Sequence, residues 1–354
     1  MIYIFAIIMI YTNKIITMKF KNSKLIYCIL TGFFLYLVMA LKDPFLGKSD
    51  TLTIYYPSFE NVIFNTMKYV FLRYREESAL FYIVTKLISY FTHNLILYYA
   101  LLEIPIIYSV TKIIYKHSKM PELSFLAFFS LNFYFFNFIA LKNSVAFAFL
   151  MLAMDSYIEE KNKKTILYII LATLFHYTAL IFLVALIIKK VKFGYKNFIF
   201  LIGILLITIF MKNTIFNYIF SIIDSGRYSV YSNRTETINL LMFTINILIL
   251  SFSKLITNDN YVKQNSKLFN LLWIGTMFSI FTVLLAEFSR ISMYFSVSSI
   301  ILIPNTLKQI EKKNIRIFMC FIIEVFMIIY CFYSVIPNLN LNEYEFFWNS
   351  MYLK

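Results

Sequence analysis

The chain has 354 residues, 60% of them hydrophobic and only 14% charged, and its mean hydropathy is +0.73. These values exclude a soluble globular protein and leave an all-α, polytopic integral membrane protein, read as a single membrane domain over 1–354. The 33 basic against 18 acidic residues, a net charge of +15, sit mostly in short loops beside apolar runs. They therefore report topology and contact with anionic membrane lipids, not nucleic acid.

Apolar runs fall near 2–12, 25–41, 95–111, 123–138, 143–157, 165–175, 177–188, 198–211, 238–255, 268–286, 291–304 and 317–335. About twelve membrane segments follow, including short re-entrant or broken helices. The first run resembles the apolar part of a signal peptide. It lacks a basic leader and a small-residue cleavage site, so it reads as a short first span; Met18 is an alternative start. Lysines collect at 14–24, 112–119, 161–164, 189–196, 254–267 and 308–313, and the positive-inside rule assigns these stretches to the cytoplasm. The alternation closes if 79–92 does not span. That stretch has 14 residues and contains Lys86, which suits an interfacial or re-entrant helix. The outer loops are then 42–78, 139–142, 212–237, 286–290 and 337–354, with 42–94 forming a loop plus interfacial helix. Cys28, Cys320 and Cys331 all lie in apolar runs without metal-ligand spacing, and the glycines form no phosphate-binding loop.

Between Lys164 and Lys189 the chain is apolar except for His176 at its centre, and lysines flank both ends. Both ends therefore belong to one side, and the segment must turn near His176. Each arm is only ~17 Å of helix against a ~30 Å hydrocarbon core. An imidazole is thereby predicted at the floor of a cavity opening away from the cytoplasm, where an ionisable group is a functional candidate. One long tilted helix with a packed histidine is the alternative.

The arginines run against the lysine pattern. Of six, only Arg316 falls in a cytoplasmic loop, whereas Arg73, Arg75, Arg227, Arg234 and Arg290 fall outside. A guanidinium binds phosphate through two parallel N–H bonds, so an outer face rich in arginine suits an anionic ligand. Structural pairing with Glu76, Glu77, Glu236 or Glu287 is the competing reading. Glu103 and Glu324 lie inside spans and read as protonated or lysine-paired. Lys42, Lys48, Asp50, Tyr55 and Tyr56 share the first outer loop. Lys142 follows the 123–138 run, and Glu287 and Arg290 share a tight turn. Such cations can hold a pyrophosphate while a carboxylate or histidine takes a proton from a sugar hydroxyl.

The order of these pieces resembles the EpsG family of polysaccharide polymerases, relatives of the Wzy-type O-antigen and capsule polymerases, along nearly the whole chain. The family's Arg, Gly, Asp and Tyr of an early outer loop read here as Lys42, Gly47, Asp50 and Tyr55. Its acidic residue before an aromatic-rich helix matches Glu77, and a Leu-Arg-Gln-x-x-Ala element corresponds to LKNSVA, with Lys142 and Asn143 as replacements. FHYTA at Phe175–Ala179 matches a Phe-His-x-(Ser/Thr)-Ala element, and Arg290, Ile291 and Tyr294 match Arg-Ile-x-x-Tyr.

The resemblance implies a GT-C-like glycosyltransferase of the bacterial cytoplasmic membrane, its active site facing outward. It would join lipid-linked oligosaccharide donor and acceptor, carried on undecaprenyl pyrophosphate. It implies His176 or Asp50 as catalytic base. Arg290, Lys142, Arg234, Arg227, Arg73, Arg75 and Lys42 would bind the pyrophosphate, supported by Glu77, Glu287, Tyr55 and Tyr294. The outer face offers no compact acidic ligand set, so neither cofactor nor metal is expected; a chain-length regulator is a conceivable partner. A ligase using the same donor and a flippase are the alternatives, although no internal repeat of the kind flippases carry is visible.

Overall fold

A computed structural model describes residues 1–47, 49–75, 78–188, 195–215, 240–256, 259–285 and 287–350. Among the described residues, each apolar run of the sequence carries helix and no strand occurs. Four helical stretches among the described residues are long and apolar enough to cross a membrane: Ser23–Ala40, Leu95–His117, Asn265–Val283 and Lys313–Asn338. Shorter apolar helices include Ile2–Thr17, Ala79–Ser89, Tyr177–Ile187, Lys196–Phe210 and Leu241–Ile256.

The described residues form two compact units, Met1–Leu183 with Ile303–Lys354, and Val184–Leu302. In the larger unit the Leu95–His117 helix packs between Ser23–Ala40 and Leu141–Ile158. The Pro121–Ser130 helix is buried from Glu122 to Ser130. Its phenylalanines meet Tyr3, Tyr134 and Phe135 in a cluster of edge-on and stacked rings, and the Tyr134 hydroxyl donates to the Leu35 carbonyl at 2.8 Å. Such ring pairs contribute about 0.5–1.5 kcal/mol each beyond simple burial. Inside a membrane, where lipid competes equally for apolar surface, packing of this kind is what holds helices together. The Lys313–Tyr330 helix buries only Met327 and turns the rest of its apolar surface outward, as a lipid-facing helix does.

The first outer loop is more ordered than its composition suggests. A five-residue π-helix, Thr51–Tyr55, runs directly into the Tyr56–Phe64 helix, and Met67–Tyr74 forms another. Pro57 stands in the first turn of Tyr56–Phe64, where its missing N–H costs nothing. The Thr66 hydroxyl accepts the Tyr69 N–H at 3.3 Å to cap the next helix. Lys86, which marks 79–92 as interfacial in the sequence, is buried and donates to the Val62 and Ile63 carbonyls at 3.2 and 3.1 Å. It closes the C-terminal end of Tyr56–Phe64, where carbonyls lack partners and a cation is favoured.

The loop's start is tied to the end of the chain. Asp43 N–H donates to Glu345 at 2.9 Å and Phe347 N–H to Leu41 at 3.0 Å, around an antiparallel bridge between Lys42 and Phe346. Gly47 has φ +73, and a Cβ there would lie 2.7 Å from the Leu339 carbonyl oxygen. Only glycine fits that approach.

In the smaller unit the Asp259–Ile280 and Phe288–Ser296 helices touch closely at Gly275, where a Cβ would meet the Ser296 backbone nitrogen at 2.8 Å. Ser292 donates to the Gly275 carbonyl at 2.8 Å, and Asn246 donates to Ser296 Oγ at 2.8 Å. Small residues and side-chain hydrogen bonds are the usual means of close helix contact in a membrane.

Candidate functional site

Asp50 opens the π-helix. Its carbonyl accepts Ile54 N–H at 2.9 Å and Tyr55 N–H at 3.2 Å, the second being the five-residue register of a π-turn. Single π-turns are uncommon and recur at functional sites; a second, Cys331–Val335, interrupts the last long helix. Asp50 is half-buried, and its N–H reaches the Ile139 carbonyl at 3.3 Å. The loop thus lies against the residues just before Lys142. Thr51 Oγ1 is 2.6 Å from the Tyr99 hydroxyl, which fixes the turn to the Leu95–His117 helix.

Lys142 begins the Leu141–Ile158 helix. Its N–H donates to the Tyr55 hydroxyl at 3.3 Å, and its ammonium donates to the Tyr82 hydroxyl at 2.5 Å while lying 4.4 Å from that ring's centre. Tyr82 is buried and stacks on Tyr74, with centroids 3.7 Å apart and 14° between planes. The exposed Arg73 places its guanidinium 5.8 Å from the Tyr74 ring. A contiguous path therefore joins Asp50, Tyr55, Lys142, Tyr82, Tyr74 and Arg73. Aromatic faces hold both cations in place there.

Lys42 is placed differently. It is 2% exposed and pairs with Glu103, itself 0% exposed, at 2.6 Å. Its ammonium also lies 5.3 and 5.0 Å from the Tyr99 and Phe138 ring centres. This is the lysine-paired state among the two readings of Glu103. The second Glu103 oxygen has no hydrogen-bond partner.

His176 stands where α-helical geometry stops. The Asn162–Phe175 helix ends at it, with φ −154 and ψ 115, and a 3₁₀ segment, Tyr177–Leu183, follows. That segment contacts both the Asn162–Phe175 and Leu141–Ile158 helices. The interruption thus falls at the residue the sequence marks. Lys142 and His176 lie at the same end of the helical hairpin, nearly equidistant along the chain from its turn at Glu160; at ~1.5 Å per residue each stands roughly 25 Å from that turn. His176 is half-buried.

Arg290 belongs to the smaller unit, in the first turn of Phe288–Ser296, and Tyr294 is fully buried one turn later. Arg290 N–H donates to the Glu287 carbonyl at 3.0 Å, but no ion pair joins the two side chains. Arg75 is exposed. Arg227, Arg234 and Glu77 lie outside the described residues.

Sequence reasoning missed Tyr82, Tyr74, Tyr99 and Thr51, because buried tyrosines in so aromatic a chain carry no distinguishing pattern. The opposite end of the hairpin holds another cluster that no motif marks. Asp155 meets His117 Nε2 at 2.8 Å, Lys116 at 3.1 Å and Lys112 at 3.5 Å, while Glu159 meets Lys116 and Lys161 at 2.7 Å each. His117, Asp155 and Glu159 have metal-ligand proximity, yet three lysines already neutralise the carboxylates. It is an ion-pair network joining helix ends.

Compared with known protein families, the chain matches the model of the EpsG family over residues 26–348. Comparison with curated proteins and with solved structures gives no significant match.

Proposed function

Since the chain belongs to the EpsG family, a family of Wzy-type polysaccharide polymerases, we propose that it polymerises lipid-linked oligosaccharide repeat units. The carrier would be undecaprenyl pyrophosphate, the place the outer face of the bacterial cytoplasmic membrane, and the product capsule, O-antigen or exopolysaccharide. The observation that carries this reading is the Lys142 ammonium held over Tyr82, within one contact of the π-turn that Asp50 opens.

In the reaction, the acceptor's sugar hydroxyl attacks the anomeric carbon of the donor glycan. The bond from that carbon to the pyrophosphate oxygen breaks, and its electron pair leaves with the lipid pyrophosphate. A base takes the hydroxyl proton, and fixed cations stabilise the departing anion. Lys142 and Arg73 are cations on one path, and Arg290, free of any pairing to Glu287, is the candidate from the smaller unit. Arg75, Arg227 and Arg234 remain in the proposed anion set. Lys42, already matched by Glu103, serves as a buried prop for the Asp50 loop. His176 and Asp50 are the two candidates for the base. A GT-C-like, twelve-segment architecture belongs to the same reading and is supported by the helix at every apolar run.

The test is purified protein in lipid vesicles supplied with lipid-linked repeat units. A ladder of lengthening glycans is expected from the wild type and none from Lys142→Met at equal protein level. A single transfer without a ladder makes the protein a ligase, and transbilayer movement without bond formation makes it a flippase.

A further inference from the structure

At the lysine-rich end of the larger unit, away from Lys142, lies a cavity of about 610 Å³ that the proposed chemistry leaves unused. Pockets of ~300–1,000 Å³ are typical of small-molecule sites. Its walls join distant parts of the chain. Lys14 and Lys24 come from the first two helices, Lys119 and Glu122 from the entry to Pro121–Ser130, and Lys308 and Arg316 from the two ends of the turn before the last long helix. Five cations therefore face one carboxylate. Glu122 pairs with Lys14. Lys24 donates to the Ser118 carbonyl at 2.8 Å, and Arg316 gives one N–H to Ile310 at 3.2 Å. Neither carbonyl cancels a full charge, and Arg316 retains most of its five donors.

Three helices also begin at this end, Ser23–Ala40, Pro121–Ser130 and Lys313–Tyr330, and none has a side-chain cap hydrogen bond. Their first-turn N–H groups add further positive potential. Lys24, Lys308 and Arg316, none of them paired with a carboxylate, and three uncapped helix starts repel one another unless an anion joins them. Met18, which lines the cavity, is 68% exposed, and Ile15, Phe20, Ile315 and Phe318 on the flanking helices are exposed too. These apolar residues suit acyl chains beside the cavity, and basic pockets between membrane helices commonly take anionic lipid headgroups.

We propose that this cavity binds a phosphate ester, the headgroup of an anionic glycerophospholipid, which staples the first and last membrane helices together. The site is independent of the polymerase reading.

Full-length protein, delipidated in detergent, would be titrated with phosphatidylglycerol, phosphatidylcholine and glycerol 3-phosphate and read by native mass spectrometry. Phosphatidylglycerol should bind in preference to phosphatidylcholine. Its affinity should fall about thirtyfold in the Lys308→Gln, Arg316→Gln double variant, at roughly fivefold per cation. The exposed Lys163→Gln, Lys164→Gln pair, at the same end but outside the cavity, should leave binding unchanged. Competition by glycerol 3-phosphate at similar concentration assigns a soluble phosphate ester; its failure to compete assigns the lipid. If the double variant loses its helical circular dichroism, Lys308→Gln alone should still show about a fivefold loss. Equal binding of both lipids, unchanged affinity in the cavity variants, or an equal loss in the Lys163 and Lys164 control would overturn the proposal.

Discussion

Asp50 and His176 offer the same service from different settings, a carboxylate at the head of a π-turn and an imidazole at a helix break. The base is the one whose removal lowers turnover by about 10²–10⁴-fold at normal protein yield. Asp50→Asn and His176→Gln, assayed for glycan ladders, separate them. The buried pair Lys42 and Glu103 invites a different experiment. Removing either partner leaves a charge without its counterpart inside the protein, at a cost of about 3–5 kcal/mol. Lys42→Met and Glu103→Leu should each lower the unfolding temperature in detergent sharply, and the double variant should recover most of the loss. Additive losses would mean the two side chains do not depend on each other. At this scale the sequence spoke clearly where residue type and context disagree: a histidine in an apolar run, a lysine at a helix start. It set Lys42 among the pyrophosphate-binding residues and could not show its pairing with Glu103, because that partner lies on another span.

Among the elements, the hairpin formed by Leu141–Ile158 and Asn162–Phe175 carries Lys142 and His176 at one end and an ion-pair network at the other. Glu159 takes a hydrogen bond from Lys116 on one oxygen and from Lys161 on the other, and these hold its carboxyl below the usual range, Lys116 first. A carboxyl lowered in the folded state stabilises that state above its unfolded value, ~4.3, and the contribution is lost as pH falls through the folded value. Wild type should therefore lose more thermal stability between pH 6 and 3 than Glu159→Gln does; identical slopes would remove Glu159 from the network. Apolar periodicity made these helices legible. The short helices of the first outer loop were not legible, since their order comes from tertiary devices. Lys86 reaches across to end one helix, and Tyr99 pins the π-turn through Thr51. Only Pro57 and Thr66 signal them locally, and both are weak signs in isolation.

At the largest scale, the lysine distribution predicts a sided protein, with the Asp155 layer and the basic cavity at one end of the larger unit and the Lys142 layer at the other. Cysteines at His93 and Lys163, both exposed, test this directly. In intact cells an impermeant maleimide should label the His93→Cys protein and spare Lys163→Cys until the membrane is opened. Reversed labelling would turn the molecule over and place the sugar chemistry on the wrong side. Family membership was legible because its elements keep their order along the chain. The division into two units was not, since contact density leaves no mark in hydropathy.

The knot between the loop at Leu41–Gly47 and the stretch Leu339–Phe347 has a consequence for biogenesis. The partners are far apart along the chain, so the ribosome makes the second only after the membrane helices that lie between them. Until then the segment bearing Asp50 is held only through Ile139 and Tyr99. The Leu41–Gly47 end of the loop is thus fixed late, only after the Leu339–Phe347 stretch has been made.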